Sequence, residues 1–114
     1  MSFERFSVVR VPFPFTDRTA SKRRPVLVLS AASTFNLPSG HSVMAMITSQ
    51  GNTSWPLDCM ITDLSSAGLP APSMVRCKLF TLDNRLILGE LGKLSADDAA
   101  AVEKALQRLL SGPN

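Results

Sequence analysis

The stretch Ser21-Lys22-Arg23-Arg24-Pro25-Val26-Leu27-Val28-Leu29-Ser30 sets three cations directly before a continuous apolar run. A run of this length without alternation reads as a strand covered on both faces, here Pro25 to Ser30. Downstream, Val43-Met44-Ala45-Met46-Ile47 ends in Thr48-Ser49-Gln50. The first strand carries its polar groups before the apolar part, the second carries them after. Antiparallel pairing would therefore bring Arg24 and Thr48 to one end of the sheet. A cation beside a hydroxyl suits an anion such as a phosphate.

Working outward, Val8 to Phe13 reads as a first strand. Pro12 and Pro14 bracket Phe13, so pairing is expected to stop or bulge there. Thr16 to Lys22 reads as a polar, basic loop, Asn36 to Gly40 and Gly51 to Ser54 as turns. Ser42 to Ser49, Leu57 to Thr62, Ser73 to Leu82 and Arg85 to Leu91 complete the strands, with Ser65 to Pro72 as a loop. The chain then closes with a helix. Ser95 followed by Asp98 is an N-terminal capping signal, and Asp97 and Asp98 suit the positive end of the helix dipole. Ala99, Val102, Leu106, Leu109 and Leu110 form an apolar face, and Gly112-Pro113 stop it. Several short strands and one packing helix predict a mainly β protein, a small, strongly bent barrel with a C-terminal α-helix.

The 114 residues suit one domain, 1–114, large enough to bury a core without disulfide or metal staples. No apolar run approaches the ~20 residues of a membrane helix. Met1-Ser2-Phe3-Glu4-Arg5 lacks the apolar stretch of a signal peptide, so a cytoplasmic protein without membrane contact is expected. Cys59 and Cys77 form no CxxC pair and read as buried thiols rather than a disulfide.

The net charge of +3 is unevenly placed: residues 1–77 hold seven cations against four anions, while residues 78–114 hold five of each. Arg outnumbers Lys eight to four, and Arg grips phosphate with two parallel hydrogen bonds. An anionic partner such as nucleic acid fits this distribution, and so does an ordinary, mildly basic surface.

Much chemistry is excluded. His41 is the only histidine, and no Gly-x-Ser-x-Gly motif accompanies it. A His- or Cys-based metal site lacks ligands, the carboxylates are scattered, and no Gly-rich phosphate loop follows a strand. Catalysis without cofactor or metal would rest on Arg, Thr, Ser and Gln. Cleavage of RNA fits that set, because RNA carries its own nucleophile in the 2′-hydroxyl. The protein then aligns the attack and stabilises the growing phosphoryl charge. Arg24 can supply the charge and Thr48 a hydrogen bond. Arginine, with a pKa above about 12, is a poor base near neutrality. Each residue also has a plainer reading. Lys22-Arg23-Arg24 can be a solvated loop, Thr48 and Ser49 turn formers, and Trp55 a half-buried packing residue. Arg76 and Lys78 can be the solvent face of a strand.

Taken together, the segments resemble the MazF/PemK family of toxin endoribonucleases. The matching pieces are Val11-Pro12-Phe13-Pro14-Phe15-Thr16-Asp17, Lys22-Arg23-Arg24-Pro25-Val26-Leu27-Val28-Leu29-Ser30 and Ile47-Thr48-Ser49-Gln50. They continue through Ala67-Gly68-Leu69, Pro72-Ser73, Val75-Arg76, Thr81-Leu82-Asp83 and Leu91-Gly92-Lys93-Leu94-Ser95. The resemblance implies an SH3-like barrel of the CcdB/PemK type acting as a homodimer. It implies metal-independent, sequence-selective cleavage of single-stranded RNA through a 2′,3′-cyclic phosphate, inhibiting growth. The family's essential Arg falls on Arg24 and its essential Thr on Thr48. Arg18, Lys22, Arg23, Ser49, Gln50 and Arg76 are expected to bind RNA, with the segment from Thr16 to Arg23 as a mobile RNA-holding loop. A cognate acidic antitoxin of the MazE/PemI type is the expected partner, with DNA engaged only indirectly through the toxin–antitoxin complex. Two departures stand out. Phe6-Ser7 replaces the usual Gly-Asp, and Asp63-Leu64 replaces the frequent Asp-Trp. The alternative is a non-catalytic binding module of the same fold, such as a CcdB-like gyrase inhibitor or a degenerate toxin. The gyrase-poisoning signature Trp-Gly-Ile is absent from the terminal Leu110-Ser111-Gly112-Pro113-Asn114.

Overall fold

The computed structural model describes residues 3–13 and 22–112. Six antiparallel strands form one sheet: β1 Ser7–Phe13, β2 Lys22–Val28, β3 His41–Ser49, β4 Cys59–Met60, β5 Ser73–Asp83 and β6 Gly89–Lys93. Their spatial order is β4-β5-β3-β2-β1-β6. Short helices α1, Leu37–Ser39, and α2, Leu64–Ala67, interrupt the strands, and α3, Ala96–Ser111, ends the fold. The protein is mainly β with a C-terminal helix, as the sequence predicts.

The apolar run of β2 is buried on both faces because successive side chains enter different cores. Leu27 joins Val8, Ala45, Ile47, Ile61, Val75 and Val102, with Ala99 and Leu106 of α3 packed against them. Val26 and Val28 join Val9, Val11, Met44, Leu82 and Ile87 on the other side. The sheet curls so that its ends approach: α2, which follows β4 at one edge, lies against β6 at the other. Glycine makes that contact possible. A Cβ on Gly68 would sit 2.0 Å from the Leu91 carbonyl oxygen, and one on Gly92 2.3 Å from that of Ser66. Gly68 also ends α2 with a left-handed φ of 71°.

Helix α3 begins as its sequence signal requires. The Ser95 hydroxyl accepts the Asp98 N–H at 3.2 Å, a cap whose loss typically costs about 1 kcal/mol. Asp98 is itself buried and accepts the backbone N–H groups of Thr62 and Asp63 and the Thr62 hydroxyl, fastening the end of β4 to the helix. Burial raises the Asp98 carboxyl, but those hydrogen bonds outweigh it and leave its pKa below the ordinary value. Arg5 adds a paired contact, 2.6 and 2.9 Å, to Glu103 of α3.

Several boundaries differ from the sequence reading. Strand β2 starts at Lys22 rather than Pro25, and its basic residues pair with β1: Phe13↔Lys22, Pro12↔Arg23, Val11↔Arg24. Pro12 does not stop this pairing. The Arg10 carbonyl faces the β6 side, where it accepts the Leu88 N–H, so the nitrogen of Pro12, two residues on, also faces that side. Strand β6 pairs only as far as Arg10, so the missing N–H has no ladder bond to lose. Expected Leu57 to Thr62 shrinks to Cys59–Met60, a short edge. Expected Arg85 to Leu91 becomes a 3₁₀ turn, Asn84–Leu86, followed by β6.

The turn at Asn36 is a longer helical segment. A π turn, Ala32–Asn36, runs into α1. Buried Asn36 organises it by donating to the carbonyls of Phe3 and Ser30, while its own carbonyl accepts from Asn84. The loop from Ser65 to Pro72 contains most of α2, which Asp63 caps by accepting the Ser66 N–H. Leu109 and Leu110 are exposed, because the apolar contacts of α3 end at Leu106. The two cysteines are free thiols, half-buried rather than buried, and burial raises both pKa values.

Phe6 takes a left-handed φ of 69°, a conformation that suits the Gly expected there and costs a larger residue about 1–2 kcal/mol. The Arg5 guanidinium lies 4.5 Å from the Phe6 ring centroid and helps hold it. The entry to β1 thus keeps a glycine-type shape without glycine. At Ser7, where Asp is usual, the hydroxyl is buried with no hydrogen-bond partner among the described residues.

Candidate functional site

β2 and β3 pair antiparallel with Val26 opposite Met46, and the same register carried further sets Arg24 opposite Thr48. Both side chains line a cleft of about 390 Å³ at this end of the sheet. Arg23, Ser49, Arg10 and Asn52 line it as well, facing a wall of Gly68, Leu69, Pro70, Ala71, Pro72 and Leu91. Round the sheet end lies a smaller recess of about 240 Å³, shared by Arg24, Thr48, Phe13, Met46, Arg76 and Lys78.

Arg24 is exposed, with its guanidinium 4.7 Å from the Phe13 ring centroid. Among the described residues no carboxylate pairs with it. Stacking fixes the plane of a guanidinium while leaving its N–H groups for a ligand. Thr48 is half-buried at the end of β3. Its Oγ1 accepts an N–H from the Asn52 side chain, which also reaches Ser49 Oγ at 3.3 Å. The hydroxyl still has its own O–H to donate, and Thr48 lines the cleft with Arg24.

Arg76 is not on the solvent face of its strand. It is 9% exposed, and its Nε and Nη2 donate to the two carboxylate oxygens of Asp58 at 3.1 and 3.0 Å. Nη2 also donates to the Thr53 carbonyl at 2.7 Å. Hydrogen bonding from Arg76 lowers the Asp58 pKa against the opposing effect of burial. What buries Arg76 is the segment from Thr53 to Asp58, which bonds it and lays Trp55 against it. Ala45 pairs with Leu79 but Met46 pairs with Arg76, so Cys77 and Lys78 are extra residues in β5. Lys78 alone remains exposed.

Of the expected RNA-binding residues, Arg23 and Ser49 share the cleft with Arg24 and Thr48, and Arg76 lies in the adjoining recess. Lys22 and Gln50 are exposed nearby but line neither. Arg18 and most of the segment from Thr16 to Arg23 lie outside the described residues. Asn52 and Arg10 were not legible as site residues. For Asn52 the signal was present: it follows Thr48 by four residues across a turn, close enough for its amide to fold back. Arg10 gave none, since its place depends on how the sheet curls. Among the described residues no group of three His, Cys, Asp or Glu is placed to hold a metal ion. No described helix is long and apolar enough to cross a membrane.

Comparison with solved structures reproduces the whole architecture. The chain is similar to a MazE–MazF complex from Deinococcus radiodurans (TM-score 0.76, 23% identity, covering 100% of this chain and 99% of that one). It is similar to an endoribonuclease in complex with its cognate antitoxin from Mycobacterial species (0.73, 18% identity, 98% and 96% covered). It is also similar to the Mycobacterium tuberculosis toxin MazF-mt6 (0.71, 20% identity, 92% and 96% covered). No match is found among curated proteins. At these identities the structural likeness speaks for the fold. The family described as the PemK-like, MazF-like toxins of type II toxin–antitoxin systems matches residues 4–110, nearly the whole chain, and the protein belongs to it.

Proposed function

We propose that this toxin acts as a metal-independent, sequence-selective endoribonuclease that cuts single-stranded RNA and so arrests growth. The observation that carries the reading is the meeting of Arg24 and Thr48 in one cleft, with Arg24 paired to no carboxylate among the described residues. The 2′-oxygen of the substrate attacks the adjacent phosphorus, and the bond to the 5′-oxygen breaks. A 2′,3′-cyclic phosphate and a 5′-hydroxyl result, the proton lost by the 2′-hydroxyl being balanced by one gained at the 5′-oxygen. Arg24 stabilises the charge on the non-bridging oxygens, and Thr48 donates to one of them. Donors fixed before the reaction are worth most at this point. The nucleophile belongs to the RNA, so no metal is needed to generate it.

Arg23, Lys22, Arg18, Ser49 and Gln50 bind the strand around the cut, chiefly through phosphate contacts. A single cleft of this size is short for a long RNA, and a two-fold homodimer extends it. The same basic surface suits a cognate acidic antitoxin whose disordered tail folds on binding and covers the cleft. The solved MazE–MazF complexes of the fold fit this pairing. DNA enters only through such a complex.

The test is incubation of the purified protein with a long RNA in excess chelator, followed by mapping of the cut ends. Cuts at one recurring short sequence, ending in cyclic phosphate, are expected. Intact RNA, or cleavage that needs added magnesium, overturns the reading.

A further inference from the structure

Beside the cleft, the segment from Thr53 to Asp58 carries the only tryptophan. Trp55 is 43% exposed, yet its surroundings are those of a fixed side chain. The backbone N–H of Trp55 donates to Asp58 Oδ2 at 2.8 Å. The guanidinium of Arg76 lies 4.8 Å from its ring centroid, and the same guanidinium holds the Thr53 carbonyl and the Asp58 carboxylate. The side chains of Arg76 and Asp58 are only 11% and 8% exposed. Burying an ion pair is a poor route to stability, since apolar residues of similar volume do as well. What this pair does is hold a loop in one shape, with a large aromatic ring left in water.

We propose that Trp55 is a stacking platform for one nucleobase of the bound RNA, fixed next to the phosphate-binding cleft by the Arg76–Asp58 pair. The substrate class rests on the ribonuclease reading. The placement rests on three contacts. Arg76, under the indole, lines the same recess as Arg24 and Thr48. The Lys78 ammonium stands 5.9 Å from the indole centroid and lines that recess too, beside any backbone phosphate there. Asn52, at the start of the loop, is hydrogen-bonded to Thr48. Single-stranded RNA presents unstacked bases, and any base can stack on an aromatic face. A phosphate at Arg24 and a base on Trp55 would be neighbouring parts of one strand, and the recess between them is walled by cations.

Because the chain has one Trp and no Tyr, its intrinsic emission reports on this residue. The probe is a labelled single-stranded oligodeoxynucleotide, which lacks the 2′-hydroxyl and cannot be cut. Anisotropy follows binding while tryptophan emission follows stacking. The base-bearing strand should bind and quench, whereas a strand of abasic sugar–phosphates should bind more weakly without quenching. Trp55→Ala should weaken binding about 5- to 150-fold, the usual range for one stacked base. Trp55→Phe should keep most of the affinity and serves if the alanine variant does not fold. Binding without quenching, equal quenching by the abasic strand, or unchanged affinity in Trp55→Ala overturns the platform. Quenching by poly-glutamate as strong as by the oligonucleotide would give the indole to an acidic protein partner and also overturn it. A protein that binds bases through Trp55 yet leaves RNA intact keeps the platform and loses the ribonuclease reading. One that cuts RNA with no change in Trp55→Ala does the reverse.

Discussion

Arg24 and Arg76 flank the same strand, β3, from β2 and β5, and their side chains share one recess. Their surroundings are opposite. Arg24 is exposed, stacked on Phe13 and matched to no carboxylate among the described residues. Arg76 is buried, bonded to Asp58 and Thr53, and covered by Trp55. A guanidinium whose Nε and Nη2 are committed to its own protein has fewer donors left for a ligand than one that, among the described residues, is held by its ring face. On the proposed function, the contrast separates an arginine that acts on a substrate from one that shapes the surface on which the substrate lies.

The sharpest way to break this comparison is Arg24→Ala. RNA cleavage should fall about 10²–10³-fold or more, while the midpoint of urea unfolding stays near that of the parent. A large loss of stability instead would mean that Arg24 is structural after all.

Asp58→Ala should do the opposite. It leaves Arg76 buried without its counter-charge, a loss of about 3 kcal/mol by urea denaturation. The same pair gives stability a pH dependence of known sign. Arg76 holds the folded Asp58 carboxyl below its ordinary value, so its stabilising effect is complete above about pH 4, the unfolded pKa. It is lost as pH falls through the lower folded value. In Asp58→Asn the acid limb of the stability profile should flatten, and an unchanged limb would show that the pair contributes nothing there.

A smaller effect tests Thr48. Asn52→Ala should lower kcat about tenfold, the scale of one neutral hydrogen bond, with KM little changed. In a Thr48→Ala background the same substitution should do almost nothing, because Asn52 acts through that hydroxyl. Additive losses would assign Asn52 a separate role. Smallest of all, Lys22→Gln with Arg23→Gln should leave chemistry intact and reduce the salt dependence of RNA binding. Each lost phosphate contact removes roughly 0.7 from the log–log slope. An unchanged slope would class both with the ordinary surface.

Local rules reached the Arg24–Thr48 pairing because it depends only on two strands and their direction. Strand β3 and the start of α3 were equally legible, one from its apolar run, the other from the Ser95 cap. Strand β2 was cut short at Pro25 because a run of three cations reads as loop, and only β1 alongside shows that Lys22 to Arg24 continue the ladder. The burial of Arg76 escaped for a related reason. Alternation says only which face of the strand a side chain takes, and nothing local announces that the segment from Thr53 to Asp58 covers that face, with Asp58, 18 residues earlier, supplying the counter-charge. Asn36 was hidden in a turn motif because its partners, Phe3 and Asn84, come from distant parts of the chain.

Gly68 and Gly92 decide which parts of the cleft can vary. They let the backbone after α2 rest directly on β6, and the same segment forms the wall opposite Arg24. The position of that wall is set by main chain touching main chain, not by the side chains it displays. The exposed Pro70, Ala71 and Pro72 can therefore change the shape and polarity of the wall, while Leu69 stays in the core and the distance across the cleft stays fixed. A wall arranged in this way can change its surface while Arg24 and Thr48 keep their place opposite it.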